Sequence, residues 1–109
     1  MDIKNMLEAD LEFQKALRCY FVKTYQNKFE EIIKILEAGD ITAAHRIVHS
    51  LKGNAAQLGK ENLKKAAFDV EQQLKNGVNE TANKQLQILK SELSVVLNEL
   101  SLSVNEQSQ

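Results

Sequence analysis

The sequence ITAAHRIVHSLKGNAAQLG, residues 41–59, places an apolar side chain at every third or fourth position and ends at a glycine. Side chains three and four residues apart lie on one face of an α-helix, because the helix turns about 100° per residue. The stretch therefore predicts an amphipathic helix whose apolar face packs against a core. The apolar positions are Ile41, Ala44, Val48, Leu51, Ala55 and Leu58.

The same spacing recurs in three further segments that glycines separate. Gly39 suits the left-handed position after a helix and Asp40 the N-cap of the next one, while Gly59 and Gly77 end the following segments. Proline, which interrupts helices, is absent. We expect one long helix before Gly39, with room for a short extra helix near residues 3–8. The apolar positions are Phe13, Leu17, Phe21, Tyr25, Phe29, Ile32, Ile33 and Leu36 before Gly39, then Leu63, Ala66, Ala67, Val70 and Leu74, and finally Leu86, Leu89, Leu93, Val96, Leu97 and Leu100.

The links between these segments are only a few residues long, so consecutive helices are expected to be antiparallel neighbours. The predicted fold is all-α, an up-down antiparallel four-helix bundle. We expect residues 1–109 to form a single domain, with a core over about residues 10–102 and a frayed polar tail over residues 103–109. The composition, 43% hydrophobic and 27% charged, is that of a globular domain.

Charge and cysteine content exclude several classes of protein. The formal net charge of the 109-residue chain is −1, which does not favour binding to nucleic acid or to an anionic membrane. The single cysteine, Cys19, cannot form an internal disulfide. The N-terminal residues lack the apolar core of a signal peptide, and no stretch reaches the roughly 20 apolar residues of a membrane span. We expect a cytoplasmic protein with no membrane insertion.

A second stripe on the helix of residues 41–58 carries the chemistry. His45, His49, Lys52 and Ala56 lie roughly 110° from the apolar stripe, so both histidines should be off the core. Imidazole is a nucleophile suited to reversible chemistry near neutral pH. The ammonium of Lys52, one turn from His49, can reach an anion attached to it. Gly53, costly within a helix, would give a partner's backbone clearance.

His49-Ser50-Leu51-Lys52-Gly53, followed by Ala55-Ala56 and Leu58-Gly59, resembles the histidine-containing phosphotransfer (HPt) domain of phosphorelays. The resemblance covers about residues 13–100 in helix order and length as well as motif. It implies that His49 is the phosphoacceptor, that Lys52 neutralises the phosphate and that Gly53 leaves room for docking. Asn54 departs from the small residue that usually follows this glycine.

The resemblance also implies a residue that orients the histidine ring. The family places a Gln or Glu 22 residues after the histidine, where this sequence has Glu71. This carboxylate would accept a hydrogen bond from the inner ring nitrogen and turn the outer nitrogen to solvent. A slip in helix register would offer Gln72 instead.

The function that the resemblance implies is that of a phosphorelay intermediate. His49 would accept a phosphoryl group from the aspartyl phosphate of a response-regulator receiver domain and pass it to another receiver. The partners are receiver domains, a hybrid sensor histidine kinase or both. The chain would be a covalent carrier rather than an enzyme, either free-standing or the terminal domain of a hybrid kinase. It needs no cofactor, since the divalent metal belongs to the receiver, and we expect a monomer.

Other functions remain to be weighed against this one. A non-catalytic adaptor bundle is the main alternative, because an exposed helix face binds partners readily. His45 and His49 have the i, i+4 spacing of zinc ligands, but Arg46 stands where H-E-x-x-H has its general base, so we expect no metal. The sequence contains no nucleotide-binding loop of a kinase. No role is assigned to His45 beyond shaping the docking face. Three lysines are candidates to assist docking: Lys60, Lys64 and Lys65.

Overall fold

Five α-helices make up nearly all of the described chain. The computed structural model describes residues 3–77, 80 and 83–107, with side chains as far as Leu102. The helices are α1 (Ile3–Tyr25), α2 (Lys28–Glu37), α3 (Ile41–Gln57), α4 (Glu61–Lys75) and α5 (Lys84–Gln107). No β-strand occurs in these residues. The all-α class predicted from the sequence is confirmed.

The helix ends near the site have the left-handed glycines and the capping carboxylate that the sequence predicts. Gly39 has a φ of +83°, and the N–H of Asp40 donates to the carbonyl of Ile35 at 3.1 Å, which closes the end of α2. The side chain of Asp40 then caps α3, accepting a hydrogen bond from the N–H of Ala43 at 3.0 Å. Gly59 has a φ of +70° at the end of α3. These two left-handed glycines fix where α3 begins and ends.

The single long helix predicted before Gly39 is two helices. α1 ends at Tyr25 and α2 begins at Lys28, with a turn at Gln26 and Asn27. Asparagine is a poor helix former, because its side chain competes for backbone hydrogen bonds. The apolar spacing does not reveal this break, since it continues from Tyr25 to Phe29 across the turn. Residues 3–8, where the sequence leaves room for a short separate helix, are the first turns of α1.

The helices form an up-down bundle in which α1 and α2 together make one bent arm. This arm packs on α3 through α2 and on α5 through α1, while α4 lies between α3 and α5. Lys60, before α4, bonds Glu99 near the end of α5 at 2.9 Å, as antiparallel helices require. The core consists of Phe21, Tyr25, Ile32, Leu36, Ala44, Val48, Leu51, Ala55, Leu63, Ala66, Ala67, Val70, Leu74, Leu86, Leu89, Leu93, Val96 and Leu100.

Both ends of the chain differ from the prediction. Phe13, expected in the core, is 61% exposed, and every residue from Ile3 to Gln14 on this part of α1 is exposed as well. α5 continues to Gln107, whereas the sequence predicted a frayed tail from residue 103. No glycine or proline lies between residues 103 and 107 to end the helix. Ser108 and Gln109 lie outside the described residues. Within the described residues, no helix is both long enough and apolar enough to cross a membrane.

Candidate functional site

The face of α3 that carries the two histidines points away from the core. Val48, one residue before His49, and Leu51, two residues after it, are fully buried, while the side chain of His49 is 64% exposed. His45 is half-buried one turn earlier. The two imidazole rings lie nearly parallel, with centroids 6.3 Å apart and an interplanar angle of 8°. The helix therefore presents His49 to solvent, as the spacing predicted.

Glu71, on α4, is the buried partner of His49. It is 6% exposed and is the one charged residue among the buried side chains of the described chain. Its Oε2 lies 2.7 Å from Nδ1 of His49. The structure thus brings Glu71, and not Gln72, to the histidine ring. The contact joins α3 to α4 and is the geometry that the resemblance implied.

Lys52 bonds the same carboxylate. Its Nζ donates to Oε1 of Glu71 at 2.9 Å and lies 5.6 Å from the centre of the Phe68 ring. In this structure, which carries no phosphoryl group, the ammonium is held by Glu71. The prediction that it can reach an anion attached to His49, one turn earlier on α3, stays a prediction. Glu71 therefore bonds the imidazole with one carboxylate oxygen and the ammonium with the other.

The protonation of this triad follows from the charges around Glu71. Burial alone raises the pKa of the Glu71 carboxyl, but the hydrogen bonds and charges of Lys52 and His49 outweigh burial, so its pKa lies below the usual value of 4.5. The carboxylate is ionised at neutral pH and can only accept hydrogen bonds. Nδ1 of His49 must then carry the ring proton and donate a hydrogen bond to Glu71. In the neutral ring, Nε2 keeps its lone pair and belongs to the exposed part of the side chain.

The space outside Gly53 is open. A Cβ built at this position would meet no atom within 4 Å, and φ is not in the left-handed region. The glycine is therefore not required by the fold of the isolated chain. It leaves a smooth helix surface one turn beyond His49, where an approaching partner would meet backbone rather than a side chain.

Asn54, which departs from the pattern of the resembled family, has a structural role. Its Nδ2 donates a hydrogen bond to the hydroxyl of Tyr25 at 2.6 Å. Tyr25 is almost fully buried at the end of α1, and burial raises the pKa of its phenol despite the hydrogen bond from Asn54. The amide thus ties α3 to the first arm on the side of the helix away from Glu71.

Phe68 is the residue of this surface that the sequence reasoning missed. It is 46% exposed and lies beside Lys52. Together with Glu61, Lys64 and Lys65 these residues line a shallow cleft of about 340 Å³, in which Lys64 lies 4.0 Å from the Glu61 carboxylate. The sequence could have predicted this exposure, because Phe68 lies roughly 140° from the middle of the apolar stripe of α4 on a helical projection. Lys60 does not join this cleft, since it pairs with Glu99.

No cluster of three or more His, Cys, Asp or Glu side chains that could hold a metal is found in residues 3–77, 80 and 83–107. The histidine pair lacks a third metal ligand there. What the described residues bring together is an exposed imidazole, an ammonium one turn away and a buried carboxylate that bonds both.

Fold and site together define a class of protein, a helical bundle whose surface histidine is held by a carboxylate of the neighbouring helix. The family model described as Hpt domain matches residues 16–99, which is most of the chain. The chain belongs to the Hpt domain family. Membership implies phosphotransfer in two-component signalling, with receiver domains or histidine kinases as partners, and Hpt domains are phosphate carriers rather than catalysts. Searches among curated proteins and among solved structures gave no match.

Proposed function

We propose that this chain is a phosphorelay intermediate that carries the phosphoryl group on Nε2 of His49. The observation that supports this most directly is the 2.7 Å contact between Nδ1 of His49 and the buried Glu71. It keeps the ring proton on the inner nitrogen and leaves the lone pair on the outer one. A free surface histidine would exchange both tautomers and orientations.

The proposed transfer begins with a receiver domain docked around His49. The Nε2 lone pair attacks the phosphorus of the receiver's aspartyl phosphate, the phosphorus–oxygen bond to aspartate breaks, and the aspartate leaves as a carboxylate. The phosphorylated ring retains the Nδ1 proton and becomes cationic, and the Glu71 carboxylate offsets that charge. The reverse reaction delivers the phosphoryl group to a second receiver. Positioning and electrostatics supply most of what such a transfer requires.

In this scheme Lys52 interacts with two anionic groups in turn, the Glu71 carboxylate and the phosphoryl group on His49. Before transfer its ammonium is bound to Glu71 at 2.9 Å. Its side chain is 24% exposed and flexible, so the ammonium can turn towards a phosphoryl group on His49, one turn away. The contact that Lys52 gains with the phosphoryl group is then partly offset by the hydrogen bond that it loses with Glu71. Phosphorylation is therefore only moderately stabilised, which suits a phosphoryl group that must be both accepted and released.

The docking surface that we propose surrounds His49 on α3 and α4. Gly53 gives close approach, Phe68 offers an apolar contact, and Lys64 and Lys65 face outward next to it. A receiver's aspartate pocket is acidic, so these lysines favour its approach. In this scheme the divalent metal comes with the receiver, and the chain needs no cofactor. We place the protein in the cytoplasm, where receivers and kinase domains meet.

The proposal is tested by incubating the purified chain with a phosphorylated receiver domain and measuring acid-labile, base-stable phosphate on the chain. We expect label on the wild type and on the control His45→Gln, and none on His49→Gln. His45 is a matched control because it is the same residue type one turn away on the same helix. Label on all three proteins would place the acceptor elsewhere. Binding of several receivers without any label would favour the adaptor function.

A further inference from the structure

The sequence alone led us to expect a monomer, but the exposed face of α1 points to association, and we propose that two copies of this chain associate through it. The residues of this surface, called here the α1 apolar face, are Ile3, Met6, Leu7, Leu11 and Phe13. Each exposes more than half of its surface, and every residue from Ile3 to Gln14 is exposed. The face lies before residue 16, where the family match begins, so the phosphotransfer site does not account for it.

The α1 apolar face continues the part of α1 that is already buried. Ile3 lies five ideal helical turns before Phe21, and Leu7 lies five turns before Tyr25, so each pair projects in the same direction. Phe21 and Tyr25 are almost fully buried in the core. One continuous apolar face is therefore covered at the C-terminal end of α1 and uncovered at the N-terminal end. A helix face of this kind is normally apolar because something packs on it.

The exposed area is of the size that a dimer requires. If a fully exposed large apolar residue presents about 200 Å², the α1 apolar face amounts to roughly 600 Å², the upper end of what a monomer exposes. A standard interface buries about 800 Å² on each partner, including a polar rim. The polar flanks of the same helix supply that rim. A two-fold axis would place the face of one copy on the identical face of the other.

Charge favours a second copy as the occupant. The first five turns of α1 carry equal numbers of basic and acidic side chains, so two identical helices approach without net repulsion. Opposite charges on the flanks can pair across a two-fold axis, as they do beside the apolar seam of paired helices. The interface would leave His49 accessible, because that histidine lies on α3 against α4. The charged residues concerned are Lys4, Glu8, Asp10, Glu12, Lys15 and Arg18.

The test is sedimentation velocity of the wild type from micromolar to near-millimolar concentration. We expect a mass that rises towards twice that of one chain, with Leu11→Glu shifting the midpoint at least tenfold to higher concentration. Leu102→Glu is the matched control, since Leu102 is 65% exposed and Leu11 66%, but Leu102 lies on the outer face of α5. Leu7→Gln is a milder second variant, and circular dichroism checks that each variant is folded.

The result that would overturn the proposal is a wild type that stays monomeric over the whole range. Equal weakening by Leu102→Glu and Leu11→Glu would also overturn it, because association would then not run through the α1 apolar face. Phosphotransfer to the variants is measured in parallel. Transfer to the wild type is the reference. The dimer does not depend on the proposed function, so a wild type that dimerises but accepts no phosphoryl group would count against the function alone.

Discussion

Removal of the Glu71 carboxylate is the perturbation whose effects the structure defines best. In Glu71→Ala, Nδ1 of His49 and Nζ of Lys52 lose hydrogen bonds of 2.7 and 2.9 Å to a buried acceptor. Breaking a wholly buried ion pair costs about 3–5 kcal/mol. Here both donors reach solvent, with side chains 64% and 24% exposed, so water replaces part of what is lost. We therefore expect a smaller loss of about 1.5–3 kcal/mol in the free energy of unfolding.

The effect on phosphotransfer should exceed the effect on folding. Without Glu71 the His49 ring can rotate, exchange tautomers and lose the charge that offsets its cationic phosphorylated form. Changes to the groups that orient a metal-ligating histidine typically cost about 10–100-fold in activity. We expect Glu71→Ala, which removes the same kind of support from His49, to slow transfer by a similar factor. Glu71→Gln should slow transfer less, because the amide oxygen of Gln can still accept a hydrogen bond from Nδ1–H of His49.

The assay combines single-turnover transfer from a phosphorylated receiver with nitrogen-15 NMR of the His49 ring. The wild type and Glu71→Gln should show a proton on Nδ1, and Glu71→Ala should show a mixture of tautomers. Gln72→Ala is the control, since Gln72 is the neighbouring residue that a register slip would have placed at the ring. Transfer at the wild-type rate by Glu71→Ala, or an equal defect in Gln72→Ala, would refute this account of the site.

Three further predictions follow from the same geometry. Gly53→Ala should stabilise the fold by about 0.5–1 kcal/mol in urea unfolding, because its Cβ meets no atom within 4 Å, yet slow transfer; an unchanged rate would remove the clearance role. Lys52→Gln should slow transfer about tenfold, the equivalent of one charge-assisted hydrogen bond, whereas the exposed Lys75→Gln should have no effect. Because the pKa of Glu71 is lowered from 4.5, the unfolded state takes up its proton at a higher pH than the native state. The contribution of this carboxylate to stability is therefore present well above pH 4.5 and is lost as the pH falls through the native pKa. Urea unfolding at several acidic pH values should show a shallower fall in Glu71→Gln, and parallel curves would contradict the assignment.

Sequence periodicity predicts which face of each helix is apolar, and in α3, α4 and α5 those faces are the ones that the structure buries. The helix ends at Gly39 and Asp40 were also predictable, because a left-handed glycine and a capping carboxylate have local causes. The exposure of His49 followed from its angle to the apolar stripe. Each of these features is determined by residues close together in the chain, so it can be predicted from one sequence without knowledge of the tertiary contacts.

Features that depend on distant contacts could not be read in the same way. Periodicity indicates that the face of Phe13 is apolar but not whether another helix covers it, and Phe13 is in fact 61% exposed. It also passes over the turn at Asn27, since the apolar spacing is kept on both sides. The partner of Lys52 depends on a side chain 19 residues away, so spacing within α3 could suggest an anion but not the Glu71 carboxylate.

The location of His49, Lys52 and Glu71 on one helical hairpin bears on the order in which the molecule assembles. The contact between His49 and Glu71 spans 22 residues and is made by α3 and α4, which are joined by a short turn. Closing so short a loop costs little chain entropy, whereas packing α1 on α5 joins opposite ends of the chain. The reactive geometry can therefore form before the ends meet and survive when they separate. Separation of α1 from α5 would then leave the imidazole beside Glu71.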